Sequence, residues 1–206
     1  VSFNLKPNLP TVTLIVIDCI NYDRAKLSLD HCRNSANFGA VKLLTHFDVN
    51  DNVAVKIEKI NSISEYSNFV IRKLSDYFDT QHVLIAQWDG FIWNADLWDN
   101  RFLQYDYIGA PWPENILHPG APKHFNVGNG GFSLRSKNLQ EFLKNDKNLT
   151  MHHAEDVAIC QLNRAYLEAK GFTFAPLDLA RKFSWEYYDQ QNAFGVHARM
   201  KLIKKH

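Results

Sequence analysis

The chain has 206 residues, 46% of them hydrophobic and 22% charged, enough apolar material for one substantial α/β core and too even a mixture for a disordered or low-complexity protein. Its 23 Lys and Arg against 22 Asp and Glu leave a formal charge of +1, which lacks the basic footprint of a nucleic-acid binder. Cys19, Cys32 and Cys160 are odd in number, widely spaced and without a CxxC pair, which argues against a disulfide framework or structural zinc and for a reducing, cytoplasmic setting.

In chain order, Thr11 to Ile17 is β-branched and apolar, the pattern of a buried parallel strand, and it ends at Asp18-Cys19. Apolar positions at Ala25, Leu27, Leu29, Cys32 and Ala36 predict a helix from about Asp23 to Ala36, and Gly39 opens a second strand through Leu44. A strand, helix, strand unit crosses over right-handed and puts the loops after both strands on one sheet edge. Residues 18–22, with Asp18 and Tyr22, and residues 45–48 are therefore expected together at that edge. Val53 to Ile57 reads as a third short strand. Ser62 or Ser64 caps a helix whose apolar stripe is Tyr66, Phe69, Val70, Leu74 and Tyr77 or Phe78.

That helix feeds Val83 to Ala86, a short apolar run read as the central strand. It delivers Gln87, Trp88, Asp89 and Gly90 at its carboxyl end, where open α/β sheets border their ligand crevice. A plain Asp-Gly turn ending a strand accounts for Asp89 equally well. The order β, α, β, β, α, β up to this point is that of a nucleotide-binding half that lacks a Gly-rich phosphate loop, so another group must neutralise any phosphates.

Beyond Asp89, Leu97 to Phe102 is a short amphipathic segment, and Tyr105 to Trp112 leads into a long loop through about His124. Phe125 to Ser136 sets Gly128, Gly130 and Gly131 between strand-like flanks, the signature of unusual backbone angles, of close approach by another group, or of a hairpin turn. Lys137 to Asn145 reads as a helix. A second helix runs from His152 to about Lys170 with Gly171 as its stop; Glu155 and Asp156 lie in its first turn, where the helix dipole favours acids and keeps Asp156 ionised. Phe172 to Pro176 reads as a short strand and Leu179 to Tyr188 is aromatic and charged. Phe194 to His197 precedes a basic tail ending in Lys204, Lys205 and His206.

The blocks Gln87-Trp88-Asp89-Gly90, Tyr105 to Trp112, Val127 to Ser136, Glu155-Asp156-Val157 and Phe194-Gly195-Val196-His197 resemble successive blocks of a family of bacterial domains that are associated with polysaccharide biosynthesis and similar to GT-A glycosyltransferases. The resemblance runs from about Thr11 to His197. It implies a single GT-A-like, Rossmann-like α/β domain with a central, mostly parallel mixed sheet flanked by helices. Residues of about 11–90 would form the nucleotide-binding half and about 91–200 the acceptor-binding and catalytic half. The implied partners are a nucleotide-sugar donor and a glycan or lipid-linked acceptor.

The same resemblance assigns roles. Asp89 falls on the last Asp of the Asp-x-Asp motif and His197 on a late metal-binding His, so the two would hold a divalent cation, Mn2+ or Mg2+. Gln87 replaces the first Asp of that motif; it can hydrogen-bond a ribose but brings no charge. Asp18 and Tyr22 join Gln87 and Asp89 as donor-binding residues. Ala154-Glu155-Asp156 matches the x-Glu-Asp motif of inverting enzymes, with Glu155 beside Asp156 as the general base that takes the acceptor hydroxyl's proton. Asn129, Gly130 and Gly131 would let backbone approach the substrates, and Trp112 and Trp185 are candidate stacking surfaces for a sugar ring, or core residues.

Two other readings stay open. His152, His153, Asp156 and Asp89 are the ligands of a hydrolytic metal centre in one, although the HExxH order is missing. In the other, to which Gln87 points, a degenerate transferase fold serves as a glycan- or nucleotide-binding module. No apolar stretch reaches the length of a membrane span and the N-terminus lacks a basic region and an h-region, while the opening Val in place of Met is compatible with a domain excised from a longer chain. The basic tail reads as a solvated end, a contact with an anionic membrane, or the start of a further segment.

Overall fold

The computed structural model describes residues 6–187 and 192–198; Tyr188 and the basic tail at Lys204, Lys205 and His206 lie outside the described residues. Four strands build the first half: β1 (Asn8–Ile17), β2 (Asn37–Thr45), β3 (Ala54–Lys56) and β4 (His82–Ala86), all parallel. All five residues of β4 are buried, as is the run Val12 to Ile17 of β1. Parallel strands covered on both faces need such unbroken apolar sequence, which is why both were legible. The period of two divides β4 between its faces: Leu84 and Ala86 join one core cluster, Val83 and Ile85 the other.

Helix α1 (Tyr22–Ser35) covers the first face with Ala25, Leu29 and Cys32, and Asn21 caps it by accepting from the Arg24 N–H. Helix α2 (Ile63–Arg72) covers the second face with Phe69 and Val70, and its cap is Ser62, whose Oγ accepts from the Glu65 N–H at 3.1 Å. After β4 the sheet changes direction. Strand β6 (Tyr107–Gly109) lies at the edge, and β7 (Phe132–Ser136) runs antiparallel to both β4 and β6, giving the order β3-β2-β1-β4-β7-β6. The mostly parallel mixed sheet flanked by helices that the sequence predicts is the sheet observed.

Several elements differ from their sequence reading. Leu97 to Phe102 is split between two short 3-10 turns, Ala95–Leu97 and Asn100–Gln104. The glycine segment is no hairpin: residues before the glycines make a single bridge, Val127 to Pro111, and the strand after them is β7. Helix α3 (Lys137–Asn145) is as expected, with Ser136 as its cap. The helix predicted from His152 begins three residues later and comes in pieces: α4 (Glu155–Val157), a π-helical turn (Ala158–Leu162) and α5 (Arg164–Ala169). Asn163 interrupts it, its side-chain amide donating to the carbonyls of Thr150 and Ala158. Gly171, at φ +94°, supplies the left-handed stop. Phe172 to Pro176 contributes one bridge, Phe174 to Tyr107, rather than a strand.

A second small sheet, absent from the sequence reading, closes the molecule. Strands β5 (Phe91–Ile92), β8 (Ser184–Trp185) and β9 (Gly195–Val196) pair in the order β5-β9-β8, after α6 (Leu177–Phe183). Two-residue strands are below the reach of periodicity. Their register is held by rings: Phe132 lies 5.5 Å from Phe183, and a side chain at Gly195 would enter the Phe132 ring. Among the described residues no helix is long and apolar enough to cross a membrane.

Candidate active site

The carboxyl end of β4 opens into a turn in which the Gly90 N–H donates to the Gln87 carbonyl at 3.0 Å. Helix α1 fixes this turn from below: Ser28 Oγ donates to the Gly90 carbonyl at 2.6 Å and also reaches the Gln87 carbonyl at 3.0 Å. Trp88 lines the cavity beside this turn, with the Arg24 guanidinium 4.2 Å from its ring. Opposite stands the glycine turn. Asn129 takes φ +52°, and its Oδ1 accepts from the Gly131 N–H at 3.1 Å, so the side chain stabilises a left-handed backbone that few residues other than glycine adopt. The Gly131 carbonyl in turn accepts from the Gln87 N–H at 2.8 Å, joining the two turns.

Gly130 and Gly131 line the cavity, and their lack of a Cβ also makes room for neighbouring side chains. A Cβ on Gly130 would lie 2.1 Å from Glu155 Oε1, and one on Gly131 would lie 2.0 Å from His197 Nε2. The space is taken by the chain's own functional groups. Glu155 is 4% exposed and receives Arg135 Nη2 at 2.9 Å, while Arg135 is wholly buried under the Tyr107 ring. Its neighbour Asp156 faces the cavity, with Oδ2 accepting from the Gly130 N–H and Oδ1 from its neighbour Val157 N–H, both at 2.8 Å. Burial first, then the charge of Glu155, push the Asp156 carboxyl up to about 6, against the two N–H donors and Arg135. At about 6 the carboxyl is still largely ionised at neutral pH, as expected for it, although α4 is a single turn and burial raises it.

The small sheet delivers His197 to the other side of the glycine turn, its N–H bonded to the Trp185 carbonyl at 3.0 Å. Nδ1 faces Glu186 Oε1 at 3.1 Å, while Nε2 lies 3.4 Å from Asp89 Oδ1 and 3.2 Å from Gln87 Oε1. Burial would push this imidazole down, but the carboxylates of Asp89 and Glu186 on either side prevail and hold it at about 9. Asn129 donates to Glu186 Oε2 at 2.5 Å and so ties the pair to the glycine turn.

Asp89, His197 and Gln87 are a donor set suited to a divalent cation. Asp89 Oδ1 is buried with His197 Nε2 at 3.4 Å as its polar neighbour, and Nε2 lies 3.2 Å from Gln87 Oε1, spacings of adjacent ligands at metal bonds of ~2.0–2.6 Å. Glu186 behind Nδ1 is the carboxylate that commonly orients a metal-binding imidazole. The residues fit a cation that takes its remaining ligands from substrate and water. Among the described residues no three His, Cys, Asp or Glu side chains cluster as a metal group, so the hydrolytic centre of His152, His153, Asp156 and Asp89 is not assembled.

Asp18, Gln87, Gly130, Gly131, Asp156 and His197 converge on one cavity of about 470 Å³. Asp18 shapes its wall through Oδ1, which accepts from the N–H groups of Ile20 and Asn21. Tyr22, Trp112 and Trp185 do not line it: Tyr22 donates to Asp51 Oδ2 at 2.7 Å, Trp112 packs against Gly128, and Trp185 is core beside Trp93. Their aromatic character served packing, the alternative that sequence could not separate. The sequence reading missed Tyr66 and Glu186. Tyr66 sits in an apolar stripe and lines the cavity, while Glu186 lies in an aromatic run with no motif around it.

Two solved structures share the fold. A glycosyltransferase involved in the glycosylation of the major capsid of PBCV-1 is 12% identical with a TM-score of 0.56, over 95% of this chain and 99% of that one. The mannosyltransferase PcManGT from Pyrobaculum calidifontis, solved in complex with GDP-Man and Mn2+, is 11% identical with a TM-score of 0.51, over 84% of this chain and 55% of that one. The likeness is one of fold, which is glycosyltransferase-like and GT-A-like. No curated protein sequence matches the chain. The family model described as "Protein of unknown function (DUF5672)" matches residues 51–197, which carry every cavity group apart from the loop that follows β1, and the chain belongs to that family.

Proposed function

We propose that the chain is a glycosyltransferase that moves a sugar from a nucleoside-diphosphate donor to a hydroxyl of a glycan or lipid-linked acceptor, with inversion. The observation that carries the reading is Asp156, a cavity carboxylate fixed by two backbone donors and pushed up to about 6, near the value a base working at neutral pH requires. In the step, the acceptor oxygen bonds to the anomeric carbon as the bond from that carbon to the diphosphate breaks. The diphosphate leaves with the electron pair and the acceptor proton passes to Asp156. Gly130 and Val157 N–H groups hold the carboxylate in place, and Arg135 keeps Glu155 out of the reaction by pairing with it.

Asp18, Gln87 and Trp88 are the donor-side groups in this reading, on the loops that follow β1 and β4. Asp89, His197 and Gln87 Oε1 would hold a divalent cation, whose chemistry is neutralisation of the departing diphosphate. That cation fills the place of the missing phosphate loop. The mannosyltransferase named above binds GDP-Man with Mn2+, which supports this choice of donor class and ion. Polysaccharide assembly in the cytoplasm is the setting we assign, with residues of about 11–90 as donor half and 91–200 as acceptor half of one domain.

The test is thermal stabilisation by a panel of nucleoside diphosphates and their sugars, with Mn2+, with Mg2+ and with chelator, followed by turnover of Asp156→Asn. The expected result is a shift by one donor, kept in Asp156→Asn while transfer falls by about 10²–10⁴-fold. Near-normal transfer by the variant removes the base assignment. No shift by any donor removes the transferase.

A further inference from the structure

The cavity holds one polar group to which neither the fold nor the motif blocks give a task. Tyr66, on the first turn of α2, packs its ring against the core cluster of Phe69, Val70 and Ile85. Its hydroxyl is buried and belongs to a residue lining the cavity; the Gln87 amide is its hydrogen-bonding neighbour, and no group of the described residues accepts its proton. The Gln87 amide and the charges of Glu155, Asp156 and Arg135 are close enough to act on it, and burial holds the phenol far above its ordinary range. It is therefore a neutral group that offers one proton.

A buried hydroxyl whose proton finds no acceptor is a standing cost to the fold, and phenylalanine would fill the same ring space without it. Its neighbours say what would satisfy it. Glu155 and Asp156 are acceptors, and Arg135 gives Nη2 to Glu155 and Nε to Ser133 Oγ while its Nη1 stays without a partner. The Tyr66 O–H is an uncharged donor among the residues that line the cavity together with Asp156. A ligand atom between Tyr66 and Asp156 must accept from one and donate to the other, which a carbonyl or phosphate oxygen cannot do and an alcohol can.

We infer that Tyr66 is a substrate-positioning residue: its O–H donates to the acceptor's attacking hydroxyl oxygen, whose own proton is directed at Asp156. The inference rests on the transferase reading above. It places the acceptor, rather than the nucleotide, under α2, and adds a group from outside every recognised sequence block. A lone pair of the attacking oxygen is engaged by Tyr66, so a second lone pair and the proton are aligned for reaction.

The test is Tyr66→Phe in the full chain, read in three ways. Without ligand, its unfolding midpoint equals or exceeds that of the wild type. With the donor and acceptor that the wild type uses, the acceptor KM rises about 5- to 10-fold, the loss of one neutral hydrogen bond. Donor KM and donor-induced thermal shift stay the same. A midpoint lowered by several degrees means the hydroxyl is bonded within the protein and overturns the inference, as does an unchanged acceptor KM. A raised donor KM with an unchanged acceptor KM moves Tyr66 to the nucleotide and overturns it too. A wild type that turns over no donor fails the reading on which the inference rests, which the donor panel registers separately.

Discussion

Replacing Arg135 by methionine tests whether the Glu155 pair is a fixed part of the site. Arg135 is wholly buried, Glu155 is 4% exposed, and 2.9 Å separates Nη2 from Oε1. Methionine keeps the length and the apolar contact under Tyr107 but strands the Glu155 carboxylate in the interior. Leaving one partner of a buried pair uncompensated costs about 3–5 kcal/mol. At roughly 2–4 °C per kcal/mol for a chain of this size, the unfolding midpoint falls by about 6–20 °C. Adding Glu155→Gln removes the stranded charge, and a neutralised pair of similar volume recovers most of the loss. Urea and thermal unfolding of the two single variants and the double variant complete the cycle. A loss under about 1 kcal/mol in Arg135→Met, or a double variant as unstable as the single, refutes a stability role for the pair.

Three further outcomes follow from the site. The folded Asp156 carboxyl stands near 6 against an ordinary value of 3.8, so the native state binds the extra proton between those values and stability falls as pH rises through them, by about 3 kcal/mol at most. Asp156→Asn flattens that slope in denaturant titrations from pH 3.5 to 7, and an identical slope in both proteins contradicts the shift. His197 has the opposite sign: raised from 6.5 to about 9, it contributes stability that is complete below 6.5 and lost as pH climbs through 9. In chelator, the wild type should lose stability across that window while His197→Gln does not, and parallel curves would show that Asp89 and Glu186 leave it unshifted. Gly131→Ala puts a methyl group 2.0 Å from His197 Nε2, so the ring is driven from Asp89 at a cost of about 1–3 kcal/mol; an unchanged midpoint and unchanged Mn2+ response would mean the ring has room to give.

The parts of the molecule that sequence reveals are those where one residue type has one physical use. Val12 to Ile17 and Val83 to Ala86 are unbroken apolar runs that only a doubly covered strand explains, and Ser62 before Glu65 is a helix start. Gln87 to Gly90 was placed correctly because it follows such a strand. Trp112 and Trp185 were not separable, since an aromatic ring serves a core and a sugar platform equally well, and Tyr22, expected with Asp18 at the sheet edge, is bonded to Asp51. The small sheet left no periodic trace in two-residue strands, so the tie of His197 to Asp89 rests on pairing across more than a hundred residues. The glycines were visible, but what crowds them was not: Glu155 and His197 arrive from segments whose approach depends on the whole fold.

The π-helical turn at Ala158–Leu162 is one residue wider than an α turn, and it begins after Val157, the residue that follows Asp156. In terms of phase, an added residue rotates everything on one side of it by about 100° relative to the other. The core residues Ile159, Cys160 and Leu167 can thus face Leu139 and Leu143 while Asp156 still faces the Gly130 N–H. Removing a single residue from this turn would take away that rotation, and would force a choice between the core facing inward and the carboxylate facing the cavity. The widened turn acts as a phase adapter, separating the rotational demand of the packing from that of the site.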